Sequence, residues 1–296
     1  MKKKWKNPPT YSYKGKHIQK KWIIIDILLL FALYIFIGYM QQSLILAEYH
    51  ITSPAVSMEL DGFKMAHISD FHSGWNSVSA SVIIKMTSEQ NPDIICLTGD
   101  IVDGQNPDFT AVEQLISGLS KITQVYAVSG NNEHYKPSIN IQMESIYKTY
   151  GVQLMDDKTT TIINNGGVIT ISGIADIRGT FGDSTLKFNK QVELIKTSSN
   201  NEGFCIVLYH RANAFEKITE TGYHLVLSGH LHGGIIRLPF FGGILSPVGE
   251  LMPKYAGGMY NTNDVYLVSN RGIGNNSFLP RIYNPPEVAI VVLHST

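Results

Sequence analysis

Residues 224–234 read HLVLSGHLHGG: a short apolar run, a glycine, then two histidines one residue apart. The run His224–Ser228 has the length and composition of a buried strand. The chain turns at Gly229 and delivers His230 and His232. In an α/β sheet, sites form in the loops beyond the carboxyl ends of the strands, so this stretch sets imidazoles where such a fold builds its chemistry. Glycine at the turn lets backbone approach closely and adopt conformations closed to other residues.

Outward from this stretch the same construction recurs. Phe63–Ser69 is followed by Asp70-Phe71-His72, Asp93–Thr98 by Gly99-Asp100, Gln124–Ser129 by Gly130-Asn131-Asn132-Glu133, and Phe204–Tyr209 by His210. Further strands are predicted at Gly167–Ser172, Val265–Ser269 and Val288–Leu293. Helical spacing predicts helices over Ser77–Gln90, Phe109–Ser120, Ile139–Tyr150, Asn189–Thr197 and Ala212–Glu220. Strands alternating with helices indicate an α/β fold. No repeat or low-complexity segment interrupts the pattern, and no linker divides residues 55–296.

The strand ends together offer Asp70, His72, Asp100, Asn131, His210, His230 and His232. Mixed carboxylate and imidazole ligands suit divalent Zn, Mn or Fe rather than calcium. Seven ligands exceed one tetrahedral ion. They suit two divalent metal ions about 3.5–4 Å apart that share a carboxylate.

In this order, Asp-x-His, Gly-Asp, Gly-Asn, His and Gly-His-x-His resemble the signature of the calcineurin-like metallophosphoesterases. The segments Ser228–Ser246 (SGHLHGGIIRLPFFGGILS) and Ser269–Glu287 (SNRGIGNNSFLPRIYNPPE) are similar to its narrower, membrane-associated phosphodiesterase branch. The resemblance covers about residues 60–294. It implies a four-layer α/β/β/α metallophosphoesterase sandwich with a two-metal cleft. It further implies that Asp70, His72, Asp100 and His232 hold one ion, that Asp100, Asn131, His210 and His230 hold the other, and that Asp100 bridges them. A hydroxide between the ions is the implied nucleophile, and a phosphodiester or pyrophosphate the implied substrate.

The sequence departs from the family at one place. The motif is usually Gly-Asn-His followed by an acid; here Asn132 stands where the histidine belongs. That histidine protonates the leaving oxygen or binds phosphate, and an amide has no proton to give at neutral pH. Asn132 and His134 are therefore the catalytic candidates: His134 takes over the role or is an ordinary loop histidine, or else water or metal stabilises a good leaving group. A catalytically weak metal-binding receptor domain is the alternative reading. Glu133 orients a ligand or caps a helix. Among Arg237, Arg271 and Arg281, each able to pair with phosphate or with an acid, Arg271 is preferred as substrate-binding because Gly272 and Gly274 leave its loop room. Cys96 and Cys205 read as buried small hydrophobes and His67 as a core residue. Leu238–Leu245 is an apolar loop, either core or a lip that grips acyl chains or a membrane.

The chain has 296 residues, 44% hydrophobic and 16% charged, which is globular composition. Two cysteines and no Cys-x-x-Cys exclude a disulfide scaffold and a cysteine zinc site. The formal charge of zero hides an asymmetry: residues 1–21 carry eight lysines and no acid, and the remainder is net −8. A nucleic-acid binder concentrates its positive charge on the folded domain, so no nucleic-acid partner is expected. No protein partner is inferred. After the lysines, Ile23–Met40 is apolar but for Asp26, close to the roughly 20 residues that cross a bilayer. This predicts a basic cytoplasmic tail (1–21), one uncleaved transmembrane helix (22–45), and an extracytoplasmic domain (55–296) held at the cell membrane. Relatives that cleave UDP-2,3-diacylglucosamine act on a cytoplasmic substrate; an outside domain points instead to a lipid-linked or cell-wall phosphodiester.

Overall fold

Two six-stranded sheets lie face to face, and the alternation of side chains along their strands decides what fills each layer. The computed structural model describes residues 15–75, 78–176, 184–198, 203–238, 240–275 and 279–296. In chain order the elements are α1 (Gly15–Gln42), β1 (Ile45–Thr52), β2 (Lys64–Ile68), α2 (Ala80–Glu89), β3 (Ile94–Leu97), α3 (Phe109–Leu119), β4 (Val125–Ala127), α4 (Pro137–Thr149), β5 (Gln153–Leu154), β6 (Thr159–Asn164), β7 (Gly167–Ile174), α5 (Ser184–Ser198), β8 (Phe204–Arg211), α6 (Phe215–Ile218), β9 (Leu225–Gly229), β10 (Ile236–Leu238), β11 (Gly242–Leu245), β12 (Gly258–Thr262), β13 (Val265–Ser269) and β14 (Glu287–His294).

The first sheet runs β1-β14-β2-β3-β4-β5 and the second β12-β13-β9-β8-β7-β6. Successive side chains point to opposite faces of a strand. In β8, Phe204, Ile206 and Leu208 join the core between the sheets, while Cys205, Val207 and Tyr209 pack with Phe188 and Ile195 of α5 and Phe215 and Ile218 of α6. In β2, Met65 faces the second sheet, and Ala66 and Ile68 pack with Ile83 of α2, Leu115 of α3 and Met143 of α4. The four layers α/β/β/α follow. Strands β2, β3 and β4 are parallel, as are β7, β8, β9 and β13, so their carboxyl ends gather at one edge of the sandwich.

Cys96 on β3 is buried in the core between the sheets, and Cys205 on β8 is buried on the outer side of the second sheet beneath α5 and α6. The apolar run expected as an anchor is helical within α1. Its described side chains face outward: Trp22, Ile27, Leu30 and Tyr34 are all exposed. Among the described residues no helix is long and apolar enough to cross a membrane. Most of the basic tail, residues 1–14, lies outside the described residues. The sequence reading has no strand before Phe63, whereas β1 starts at Ile45 and pairs in parallel with β14 from Ile45↔Glu287 to Thr52↔His294. Its residues alternate between partly buried and exposed, as on an edge strand, so it lacks an apolar run to announce it.

Candidate metal centre

The converging loops hold the site in strained backbone. Asp70, His72, Asp100, His230 and His232 adopt φ of 51°, 45°, 52°, 72° and 48°. Such left-handed conformations disfavour non-glycine residues by about 1 kcal/mol or more each, and they persist where surrounding contacts fix them. Neighbouring glycines permit the close approach. A Cβ at Gly130 would overlap the Asp100 carboxylate, and one at Gly229 would overlap Asp70 and Ser69.

Two clusters result. Asp70, His72 and His232 form one, and Asp100, His210 and His230 the other, with ligand atoms within 4.8 Å of each other in each. His232 Nε2 lies 3.2 Å from Asp70 Oδ1 and 3.1 Å from His72 Nε2. His210 Nε2 lies 3.3 Å from Asp100 Oδ2 and 3.1 Å from His230 Nδ1. Asp100 Oδ2 is also 3.7 Å from His72 Nε2, so it stands between the clusters. The backbone N–H of His230 donates to both Asp70 oxygens, at 3.2 and 3.0 Å, tying the second sheet to the first.

These residues fit a pair of divalent ions. Asn131 sits beside the second cluster, its Nδ2 donating to Asp100 Oδ2 at 3.2 Å and its buried Oδ1 left without a hydrogen-bond partner. His210 Nδ1 lies 2.8 Å from the Thr98 carbonyl and donates to it, which turns Nε2 toward Asp100 as the ring atom available to an ion. The electrostatics agree. Burial raises the Asp70 carboxyl, but His232, His210 and His72 outweigh it and hold Asp70 well below the carboxylate range. Asp100 is likewise raised by burial but lowered overall by His210 and His72. Burial lowers the imidazoles, yet the carboxylates around His210 push it up to about 10 and those around His72 raise it too. His230 falls to about 3 and His232 also falls, in each case mainly through burial. In each cluster the carboxylates thus shift one imidazole, His72 or His210, toward its protonated form, a positive charge of the kind an ion would supply.

Supporting residues fix the ligands. Glu133, fully buried, accepts the backbone N–H groups of Asp100, Ile101 and Gly130 at 2.9, 2.8 and 2.8 Å. It is a brace between two motif loops rather than a helix cap. Burial and Asp100 push its carboxyl up to about 7, against the pull of those amides. Arg281 is fully buried; its Nε donates to Gly274 O at 3.1 Å and Nη1 to Arg271 O at 2.8 Å, and Asn284 Nδ2 donates to His232 O at 2.6 Å. The segment Ser269–Glu287 therefore props Asp70 and His232 from behind.

A cleft of about 420 Å³ opens over the clusters, lined by Trp75, Asp103, Gln105, Tyr135, Arg211 and Val248 as well as by Asp100, Asn131, Asn132, His230 and His232. The seven expected metal ligands come together here. Asp100, Asn131, His230 and His232 line it and Asp70, His72 and His210 lie buried behind them, while His134 and Arg271 neither line it nor join the clusters. His134 is partly buried beside Asp156, whose carboxyl it acts on, because the turn after Asn132 carries it away from the cleft. Arg271 Nε pairs instead with buried Glu287 Oε2 at 3.1 Å. Arg237 Nη1 donates to Gly233 O at 2.9 Å. Asn132 does line the cleft, but its side chain is committed: Oδ1 accepts from Gly104 N at 3.0 Å and Nδ2 donates to Asp100. Sequence reading missed Arg211, although it follows the motif residue His210, and Asp103, which lies 3.6 Å from His72 Nδ1.

The family model for calcineurin-like phosphoesterases matches residues 63–234. This chain belongs to that family. It is 30% identical over 263 residues to the uncharacterized metallophosphoesterase YkuE of Bacillus subtilis, covering 84% of this chain and 85% of that one. It is 27% identical to an uncharacterized metallophosphoesterase of Aquifex aeolicus, over 78% of this chain and 84% of the relative. It is also 27% identical to the phosphodiesterase YaeI of Escherichia coli, over 78% of this chain and 82% of YaeI. The protein is accordingly a metal-dependent phosphoester hydrolase, with two candidate metal-binding clusters.

Proposed function

We propose that this enzyme hydrolyses a phosphodiester or pyrophosphate bond with two divalent ions, of Mn, Zn or Fe, held by Asp70, His72, Asp100 and His232 and by Asp100, Asn131, His210 and His230. The observation that carries the reading is the place of Asp100 Oδ2, 3.3 Å from His210 Nε2 and 3.7 Å from His72 Nε2, where one carboxylate serves both clusters. Bound there, such ions polarise a phosphoryl group and lower the pKa of water. The protein's own part is orientation. Glu133 and Asn132 fix Asp100, Thr98 fixes the His210 tautomer, and the His230 amide fixes Asp70. The test is metal content of the full-length chain by mass spectrometry, followed by hydrolysis of bis-p-nitrophenyl phosphate with added Mn²⁺. A chain that binds at most one ion and leaves the diester intact sinks the reading.

The same proposal includes a location. Residues 22–45 anchor the chain in the cell membrane, with the N-terminus cytoplasmic and the catalytic domain outside, and the substrate is a lipid-linked or cell-wall phosphodiester. Exposed apolar side chains support it: Ile24, Leu29 and Phe31 on α1, and Phe240, Phe241, Leu251 and Met252 in the segment on either side of the cleft residue Val248. Of the two readings of Leu238–Leu245, an exposed lip agrees with Phe240 and Phe241 standing in solvent. Protease added to intact cells should remove the domain. Protection until the membrane is broken would reverse the topology.

A further inference from the structure

We propose that Arg211 is a substrate-binding residue of this site, a guanidinium that pairs with the phosphoryl and departing oxygens, the task that the family pattern assigns to the histidine Asn132 replaces. The inference rests on the phosphoester-hydrolase reading above. Among the described residues that line the cleft, Arg211 is the one lysine or arginine. Its aim is fixed by a two-pronged contact with buried Asp176: Nε donates to Oδ2 at 2.6 Å and Nη2 to Oδ1 at 3.0 Å. That fork sets the plane of the guanidinium and leaves Nη1 at the cleft side, 3.2 Å from His230 Nε2. The Arg211 side chain remains 26% exposed although Asp176 is wholly covered, so the cation is held from behind and open in front.

Trp75, Gln105 and Tyr135 can donate neutral hydrogen bonds from the lining, but among the described lining residues only Arg211 brings the fixed positive charge of a lysine or arginine. The Asn132 carbonyl is taken by Gly104, and one of its amide hydrogens by Asp100. His134 is absent from the lining, and His230 and His232 belong to the metal clusters. A guanidinium donates hydrogen bonds but does not give up its proton in a protein. In the step, a hydroxide oxygen from water forms the new bond to phosphorus. The bond from phosphorus to the leaving oxygen breaks with its electron pair, and the departing oxyanion, hydrogen-bonded by Arg211, takes its proton from solvent. Charge pairing without proton transfer favours a leaving group that is stable as an anion, such as an aryl oxide or a phosphate released from an anhydride. It serves a simple alkyl ester poorly.

The experiment uses the full-length, metal-loaded chain and its Arg211→Ala, Arg211→Lys and Asp176→Asn variants. Three readouts are taken: ions bound per chain, affinity for inorganic phosphate by calorimetry, and kcat/KM across diesters of graded leaving-group pKa. Arg211→Ala should keep both ions, weaken phosphate roughly 10–100-fold, as loss of a charge-assisted hydrogen bond implies, and steepen the dependence on leaving-group pKa. Arg211→Lys should recover part of the affinity through its point charge. Added guanidinium should partly rescue Arg211→Ala, and Asp176→Asn should weaken phosphate less than Arg211→Ala. If Arg211→Ala binds phosphate as tightly as the native chain, or if its defect is loss of an ion, the residue is only a prop for His230 and the proposal falls. A native chain that binds phosphate through Arg211 but cleaves no ester would overturn the hydrolase reading and leave this assignment standing.

Discussion

Asn132 and Asp100 are joined twice: the Asn132 backbone N–H donates to Asp100 Oδ1 at 2.7 Å, and its side-chain Nδ2 donates to Oδ2 at 2.5 Å. The residue that departs from the family pattern therefore orients the carboxylate that stands between the two clusters. Groups that orient metal ligands typically contribute 10–100-fold in affinity. Asn132→Ala should lower metal affinity by about that factor, measured by titration with Mn²⁺ after chelation. Asn132→His should not restore a proton donor at no cost, because the imidazole must first replace the contacts to both Asp100 and Gly104. An Asn132→Ala chain with native metal affinity would show that the backbone contact alone suffices.

Asp100→Asn tests the bridge itself. An amide cannot supply two anionic oxygens, so bound metal should fall from two ions to one or none and diester hydrolysis should be lost. Metal content is read on the purified variant, with far-UV circular dichroism to verify the fold. Two ions and normal turnover would mean that the clusters do not share Asp100.

The central strands were legible for a physical reason. β2, β3, β8, β9 and β14 are buried on both faces, and all but β2, which Lys64 and His67 interrupt, carry unbroken apolar runs of three or more residues. The strands the sequence did not reveal, β1, β5, β6 and β12, are the four sheet edges, and β10 and β11 form a separate two-stranded ribbon. Edge strands alternate, as Thr159–Asn164 does, and carry no such run. The side chains that form the two clusters were legible because each stands at the carboxyl end of a strand or follows it within a few residues. Arg211 and Asp176 were not, since the pair spans 35 positions and Asp176 lies in a loop without local pattern. Arg271 misled for a different reason. The glycine beside it, Gly272 at φ 71°, makes room for Asp70, not for a ligand of Arg271.

Glu133 gathers the amides of two motif loops, and Glu133→Gln replaces one accepting oxygen with an NH₂ that faces donors. A buried donor left opposite donors costs about 1–3 kcal/mol, more when a charged partner is lost. Urea unfolding should show a loss of about 2–4 kcal/mol on that basis, with both clusters loosened. Unchanged stability would mean that the carboxyl is already protonated in the native protein.

His67 supplies a pH dependence whose sign can be worked out. The ring is fully buried, with Nε2 2.8 Å from Thr98 Oγ1 and Nδ1 without a hydrogen-bond partner. Burial lowers its pKa to about 3, against a smaller opposing pull from Asp70. The unfolded chain keeps the ordinary value near 6.5. Between those values the unfolded state binds a proton that the folded state refuses, so stability rises with pH through this window and is flat with respect to His67 above it. The slope from this one group is about 1.4 kcal/mol per pH unit. His67→Gln can keep a hydrogen bond to Thr98 and removes the titration. Urea unfolding from pH 4 to 7, with chelator present so that metal linkage does not enter, should therefore give a steeper loss toward acid for the native chain than for His67→Gln, by about that slope. Parallel curves would mean that His67 takes up its proton inside the folded protein, and that the core around β2 and β3 admits a charge.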